Sequence, residues 1–170
     1  MRFFTIGYEG INVTDLFNVL SEHEISLLVD VRENPFSRKP GFSKGALSNF
    51  THLYGKNYLH LGSLGCPKVI RQDYALDRNW AKYSQRYFTQ LETQLCDLNR
   101  LINIMARETC CLLCFEADYR LCHRSLIAQR IIEESRDVIY NITHLNSRAI
   151  RNTVLQYPSE DISVQQLTID

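Results

Sequence analysis

The side chains best suited to chemistry in this sequence are gathered between Thr109 and Arg130. Glu116, Cys122, His123 and Arg124 follow one another in a short stretch of that segment. A carboxylate can transfer protons, a thiol can act as a nucleophile, and histidine and arginine can hold a phosphate or carboxylate group. This combination predicts a catalytic or anion-binding site, and it leaves the reaction itself undefined.

Cys122 is the candidate nucleophile of this stretch. Its neighbours Arg120, His123 and Arg124, together with the start of a helix, would lower the pKa of its thiol. A thiol that responds to oxidation and a cysteine that merely packs at a helix start remain open as alternatives. A phosphatase-like loop fits poorly, because it needs a glycine-bearing cradle between cysteine and arginine. Glu116 is the candidate proton-transfer group, or else it pairs with an arginine.

The cysteines raise the question of a metal. Cys111 and Cys114 form a CxxC pair, but residues three apart in a strand face opposite sides of a sheet, so we expect both to be core cysteines. Cys114, Cys122 and His123 supply three zinc ligands without an evident fourth. The sequence therefore predicts no metal ion and no cofactor.

A second group of candidates follows the apolar run ISLLVDV. Asp30 and Arg32 flank Val31 and point to the same side of the predicted strand. A carboxylate inside an apolar run needs a partner, so either Asp30 pairs with Arg32 to fix loops or both residues serve a ligand. Arg38 and Lys39, in the proline-rich loop that follows, suggest an anion clamp or a solvated basic turn.

The elements that must position these residues are short apolar runs alternating with amphipathic segments. That pattern predicts a single-domain α/β fold with a mainly parallel, five-stranded, Rossmann-like sheet and helices on both faces. The expected strands cover residues 2–7, 25–31, 57–61, 109–115 and 137–143, and the expected helices cover residues 14–23, 43–54, 79–107 and 122–134, with residues 68–79 unassigned.

Polar residues collect where the predicted strands end. Ligands of parallel α/β sheets bind beyond the carboxyl ends of the strands, so we expect the exit loops to form one cleft. These loops are Tyr8–Gly10, Arg32–Gly41, Gly62–Pro67 and Glu116–Arg124.

The composition narrows the function classes. The 170 residues carry no formal net charge, and 45% of them are apolar. The length and the apolar fraction suit one globular domain. A chain with no net charge has no overall electrostatic attraction for nucleic acid or anionic membranes. The N-terminus has no signal-peptide pattern, and no apolar run approaches about 20 residues. We therefore expect a cytoplasmic protein with reduced thiols and no membrane contact, and we leave open whether it forms a homodimer.

Several motifs resemble the domain of unknown function 488 family: GYEG, LVDVRENPFSR, LHLGSLG, NWAKYSQRY, LLCFEADYRLCHRSLIA and THL. The resemblance covers about residues 1–145 and leaves 146–170 as a C-terminal extension, partly helical or mobile. It implies a compact α/β fold in the prokaryotic cytoplasm and no established activity. Where relatives commonly carry a second glycine and a basic residue, this chain has Cys66-Pro67. The family's recurring polar positions fall here on Tyr8, Glu9, Asp30, Arg32, Pro35, Ser37, His60, Gly62, Leu64, Gly65, Glu116, Cys122, His123 and Arg124.

Three functions follow as hypotheses. The first is an enzyme that binds a phosphorylated small molecule or nucleotide in the polar cleft. Its catalytic groups would be Asp30, Glu116 and Cys122, and its ligand-binding groups would be Tyr8, Glu9, Arg32, Ser37, Arg38, His123 and Arg124. The second is a nucleic-acid-binding or nucleic-acid-processing module that uses the basic loop with Tyr8 or Tyr119 as a stacking surface. The third is a non-catalytic, redox-responsive partner protein.

Overall fold

Five parallel strands form a single sheet in a computed structural model that describes residues 1–135 and 140–146. The strand order is β3-β2-β4-β1-β5. Every neighbouring pair is parallel, which confirms the predicted α/β class. The strands are β1 (Arg2–Gly7), β2 (Leu27–Asp30), β3 (Asn57–His60), β4 (Cys110–Cys114) and β5 (Asn141–Leu145).

Helices cover both faces of the sheet, as predicted. They are α1 (Val13–Glu22), α2 (Lys44–Leu53), α3 (Lys68–Asp77), α4 (Trp80–Glu92), α5 (Leu95–Met105) and α6 (His123–Glu134). Two short 3₁₀ turns, Gly62–Leu64 and Tyr119–Leu121, follow β3 and β4. Among the described residues, none of the helices combines the length and apolarity needed to span a bilayer.

Alternate residues of each central strand enter two separate hydrophobic cores. Leu28 and Cys111 pack with the buried residues of α1 and α2, on what we call the α1 face. Cys110 and Leu112 pack with the residues of α3 to α6, on what we call the α6 face. The members of the CxxC pair therefore point in opposite directions, since side chains alternate along a strand.

The single long helix predicted for residues 79–107 is wrong, because α4 ends at Glu92 and α5 begins at Leu95. At the break, the hydroxyl of Thr93 donates to the carbonyl oxygen of Gln90 at 2.7 Å, and the backbone N–H of Gln94 donates to Leu91 at 2.9 Å. These bonds close the last turn of α4. Leu95, which the helical pattern placed in the buried stripe, is 36% exposed.

Other boundaries differ from the predictions by smaller amounts. Residues left unassigned between Pro67 and Asn79 form α3, and Arg78, which follows its last residue Asp77, adopts the left-handed conformation (φ 52°). β2 and β4 are shorter at both ends than predicted, and β5 extends to Leu145 instead of ending at residue 143. Residues 137–139 of the predicted last strand, and all but Asn146 of the predicted extension, lie outside the described residues.

Close backbone packing joins the exit loops at the carboxyl edge of the sheet. A Cβ atom on Gly7 would lie 1.6 Å from the carbonyl oxygen of Glu116, and one on Gly65 would lie 2.1 Å from the backbone nitrogen of Glu33. Glycine is therefore required at both contacts. The loops after β1 and β4 are in contact, as are the loops after β2 and β3.

Candidate functional site

The side chains at the carboxyl edge divide into two networks on opposite faces of the sheet. Asp30 and Arg32 lie on the α1 face, with Tyr8, Phe42 and Tyr58. The α6 face carries the sulfur atoms of Cys114 and Cys122 and the imidazole of His123. The exit loops meet as expected, but the candidate side chains do not share one cleft.

The network on the α1 face satisfies its own hydrogen bonds. Arg32 donates from Nε to Asp30 Oδ1 at 2.7 Å and from Nη2 to Oδ2 at 2.5 Å. Its Nη1 donates to the Tyr8 hydroxyl and to the carbonyl oxygen of Phe42, both at 2.9 Å. The Tyr58 hydroxyl donates to Asp30 Oδ2 at 2.7 Å. The polar atoms that were expected to serve a ligand are bonded inside the protein.

Electrostatics keeps the guanidinium of Arg32 charged. Burial opposes the charged guanidinium, but the hydrogen bonds and the charge of Asp30 outweigh it and raise the pKa of Arg32 above its usual value. Burial, followed by the charge of Asp30, also raises the pKa of Tyr58. The hydrogen bonds of Arg32 therefore suit it to fixing the β2 exit loop.

The network on the α6 face, which we call the thiol cluster, contains Cys114, Glu116, Cys122 and His123. Oε2 of Glu116 accepts from Cys114 Sγ at 2.9 Å and from Cys122 Sγ at 3.1 Å. Nδ1 of His123 lies 3.7 Å from Cys114 Sγ and 3.9 Å from Cys122 Sγ. Both sulfurs and the imidazole are buried, and Glu116 is partly exposed.

The local sequence explains how these four side chains come together. Cys114 is the last residue of β4, and Glu116 lies two residues further along the extended chain, where side chains return to the same face. Cys122 precedes α6 in an extended conformation (φ −132°, ψ 139°), and His123 is the first helical residue. The ring nitrogen Nε2 of His123 lies 3.0 Å from the carbonyl oxygen of Val31, which fixes the position of the ring beside the sulfurs.

The four groups shift one another's protonation. Burial opposes the thiolate of Cys122, but the hydrogen bond from Cys114 and the charge of His123 outweigh it and hold the pKa of Cys122 well below its usual range. Burial lowers the pKa of His123, but the interaction with Cys122 raises it, and the net shift is upward. Burial, with Cys122, raises the pKa of Cys114 and that of Glu116. The interactions within the cluster therefore lower the pKa of Cys122 and raise the pKa values of Cys114, Glu116 and His123.

Arg124 is completely buried beneath the cluster. It donates from Nη1 to the carbonyl oxygen of Glu116 at 2.6 Å, from Nη2 to that of Ala117 at 3.0 Å, and from Nε to the Thr5 hydroxyl at 3.3 Å. The guanidinium thus fixes the backbone of the β4 exit loop. The arginine that was predicted to bind an anion holds this loop in position.

The remaining predicted ligand contacts have mixed environments. Glu9 accepts from the backbone N–H of Ala117 at 3.0 Å, and the hydroxyl of Ser37 accepts from the backbone N–H of Lys39 at 3.2 Å. Tyr8 is buried and stacks on Phe42, with ring centroids 4.3 Å apart. Tyr119 stacks on His144 at 3.9 Å. Arg38 is exposed, so it is the predicted basic ligand that faces solvent.

Exposed apolar side chains occur in the loops after β2 and β4, and sequence reasoning missed them. Phe115 was expected inside the buried fourth strand, but it follows β4 and is 46% exposed. Leu121, next to Cys122, is 48% exposed, and Phe36 in the β2 exit loop is 71% exposed. β4 ends at Cys114, whereas the apolar run continues to Phe115. Nothing in the sequence marks the end of the strand, so the exposure of Phe115 could not be predicted.

The thiol cluster also brings four possible metal-ligand atoms close together. One ligand atom from each of Cys114, Glu116, Cys122 and His123 lies within 4.8 Å of the others. Sequence reasoning identified three of these ligands and assigned Glu116 to proton transfer or ion pairing. The signal that points to Glu116 is its two-residue spacing from Cys114, which places both side chains on one face.

Comparison with known proteins places the chain in a family. The profile described as Domain of unknown function DUF488 matches residues 12–131, which include α1, the thiol cluster and most of α6. No curated protein matches the chain, and no solved structure matches it. The chain belongs to the DUF488 family.

Proposed function

We propose that the protein is an enzyme that binds a phosphorylated small molecule at the carboxyl edge of the sheet, with the reaction beside the thiol cluster. A nucleotide fits this surface best. The observation that carries the proposal is the position of Glu116, a partly exposed carboxylate directly above two buried sulfurs and a buried imidazole.

Glu116 is assigned the exchange of a proton with the substrate. Its backbone is fixed by Arg124 and by the contact with Gly7, while the residue as a whole is partly exposed. A general acid or base needs such a fixed position within hydrogen-bond reach of the substrate. Cys122 is 1% exposed, so we assign its sulfur no direct contact with the substrate.

The exposed apolar side chains of the β4 exit loop support a nucleotide over a simple sugar phosphate. Phe115 and Leu121 each expose about half of their surface, and the ring of Phe115 packs edge-on against Tyr8, with centroids 5.3 Å apart. An exposed aromatic ring can stack on a base, which contributes about 1–3 kcal/mol in single-stranded nucleic-acid complexes. Arg38 is the exposed cation for the phosphate group, and its guanidinium matches phosphate oxygens in two-pronged fashion.

The basic segment from Arg32 to Lys44 gives weaker support to the nucleic-acid alternative. Of the four cations from Arg32 to Lys44, Arg32 is buried in the ion pair, and Lys39 donates from Nζ to the carbonyl oxygen of Tyr8 at 2.9 Å. Arg38 and Lys44 remain exposed. Two exposed cations on a loop of a chain with no net charge would neutralise few phosphates, so a single nucleotide is favoured over a polymer.

Binding experiments test the proposal. A panel of nucleoside mono-, di- and triphosphates and sugar phosphates is measured by thermal shift and then by calorimetry. We expect a nucleotide to bind, and we expect Phe115→Ala and Arg38→Ala each to weaken that binding about tenfold. Arg100→Ala, which removes an exposed arginine of α5, is the matched control and should bind normally. Failure of every compound to bind would overturn the proposal.

Turnover of the bound nucleotide tests the role of Glu116. Products are followed by chromatography and mass spectrometry for the wild type and for Glu116→Gln, which keeps the shape of the side chain. We expect Glu116→Gln to retain binding and to lose on the order of 100-fold or more in rate. Equal rates for both proteins would remove Glu116 from the reaction.

A further inference from the structure

The thiol cluster contains the donor atoms of a tetrahedral metal site. Two sulfurs, one imidazole nitrogen and one carboxylate oxygen come from the end of β4, the loop after it and the start of α6. Thiolate and imidazole ligands together select zinc over magnesium or calcium, which prefer oxygen. The set is therefore chemically specific, unlike a group of surface carboxylates.

The measured spacings are close to those that zinc would impose. With Zn–S bonds of about 2.3 Å and Zn–N bonds of about 2.0 Å, tetrahedral geometry sets sulfur–nitrogen separations of about 3.5 Å. Nδ1 of His123 lies 3.7 and 3.9 Å from the two sulfurs. The sulfur–oxygen distances of 2.9 and 3.1 Å are shorter, as thiol–carboxylate hydrogen bonds require, so Oε2 of Glu116 needs only a small outward shift.

The imidazole is already oriented for coordination. Metal-binding histidines usually donate their second ring N–H to a carbonyl or carboxylate oxygen, which fixes the tautomer. Nε2 of His123 makes that contact with the carbonyl oxygen of Val31 at 3.0 Å, and the N–H of Val31 donates to the carbonyl oxygen of Leu113 at 3.2 Å. The acceptor is therefore held in place, and Cys114 Sγ lies 3.7 Å from Nδ1 and 4.0 Å from Nε2.

The surrounding charge suits a zinc–thiolate centre. Zinc with two thiolates, one carboxylate and one neutral imidazole carries a single net negative charge. Arg124 is completely buried next to the cluster, and its hydrogen-bond acceptors among the described residues, on Thr5, Glu116 and Ala117, are neutral. The carboxylate of Asp118 interacts with its charge, and a negatively charged metal centre would balance the buried guanidinium further, because burying an unpaired charge is costly.

We propose that Cys114, Glu116, Cys122 and His123 bind one Zn²⁺ ion. Cys114, Cys122 and His123 form the buried side of the site, and Glu116 forms the side that faces solvent. Glu116 is therefore the ligand that can leave the metal when another oxygen donor arrives, which is compatible with its role in the proposed reaction. The inference goes beyond that reaction and stands without it, since zinc binding can be measured in the absence of any nucleotide.

The first test needs no substitution. Purified wild-type protein is stripped with a chelator, checked for folding by circular dichroism, and titrated with Co²⁺ and then with Zn²⁺. We expect one equivalent of Co²⁺ to produce the sulfur-to-cobalt charge-transfer absorption of thiolate ligands, and Zn²⁺ to abolish it. A folded protein that shows no such absorption, and that binds no zinc by elemental mass spectrometry, would overturn the proposal.

Variants then test which residues hold the ion. Cys114→Ser, Cys122→Ser and His123→Gln should each weaken zinc binding on the order of 100-fold or more, and Glu116→Gln about tenfold. Cys111→Ala is the matched control, because Cys111 lies in the same strand as Cys114 but on the α1 face. Undiminished zinc binding by folded Cys114→Ser and Cys122→Ser proteins would show a different site and contradict the assignment.

Discussion

Arg32 donates two parallel hydrogen bonds to the carboxylate of Asp30, one from Nε to Oδ1 at 2.7 Å and one from Nη2 to Oδ2 at 2.5 Å. Both side chains are buried, and both also bond to tyrosine hydroxyls. The pair fixes the loop that leaves β2. It lies across the sheet from the thiol cluster, so the ion pair and the site of the proposed reaction are on opposite faces.

Breaking this ion pair should destabilise the fold. Asp30→Asn leaves the Arg32 guanidinium buried without its counter-charge, and we expect a loss of about 3–5 kcal/mol in the free energy of unfolding. Urea denaturation measures the change. Glu33→Gln is the control, because it removes a similar pair with Arg71 that is largely exposed and should cost less than about 1 kcal/mol. An Asp30→Asn protein as stable as this control would contradict the structural role.

Arg124→Lys tests whether Arg124 holds the loop or binds a ligand. A lysine cannot reach the carbonyl oxygens of Glu116 and Ala117 together, so at least one buried acceptor loses its partner. We expect a loss of about 2–4 kcal/mol in the free energy of unfolding. Arg120→Lys, which alters an exposed pair with Asp118, should change it by less than about 1 kcal/mol. Unchanged stability with weakened nucleotide binding would instead favour direct contact between Arg124 and an anion.

Gly7→Ala should be among the most damaging small substitutions in the chain. The added methyl group would lie 1.6 Å from the carbonyl oxygen of Glu116, and that backbone is held by Arg124. We expect a loss of about 4 kcal/mol or more, measured by thermal unfolding. Gly45→Ala is the matched control: it meets open space within α2 and should gain about 0.5–1 kcal/mol. A normal melting temperature for Gly7→Ala would show that the loops are not packed as described.

His144 should make stability depend on pH. Burial, with the charge of Arg124, lowers the pKa of His144 to about 4 in the folded protein. Because the unfolded chain binds the proton at higher pH, stability is lost as pH falls from about 6.5 toward about 4, by roughly 3 kcal/mol at most. Urea unfolding at neutral and mildly acidic pH should show a smaller difference for His144→Gln than for the wild type. Equal differences for the two proteins would contradict the prediction.

Much of the fold followed from local pattern. The apolar runs of the strands and the polar residues at their ends predicted a parallel sheet whose exit loops meet at one edge. The break between α4 and α5 was missed because the apolar spacing continues through Thr93 and Gln94, where hydrogen bonds alone reveal the turn. Secondary structure was thus most predictable where burial and periodicity agree.

The candidate site was less predictable, since polar residues have several partners available in three dimensions. Arg32, Arg38, His123 and Arg124 were all predicted ligands of an anion, and burial separates them. Arg32, His123 and Arg124 are buried, whereas Arg38 is exposed. The partnership of Glu116 with Cys114 and Cys122 depends on how the β4 exit loop folds back, held by Arg124 and Gly7. Spacing along the chain carries only part of that information.

The most direct test of the central claim is the position of a bound nucleotide. Crystals of the protein with the tightest-binding nucleotide of the panel would locate it. We expect the base against Phe115, the phosphate within hydrogen-bond distance of Arg38, and the carboxylate of Glu116 beside the ligand. A nucleotide bound away from the carboxyl edge, for example between α3 and α4, would contradict the account.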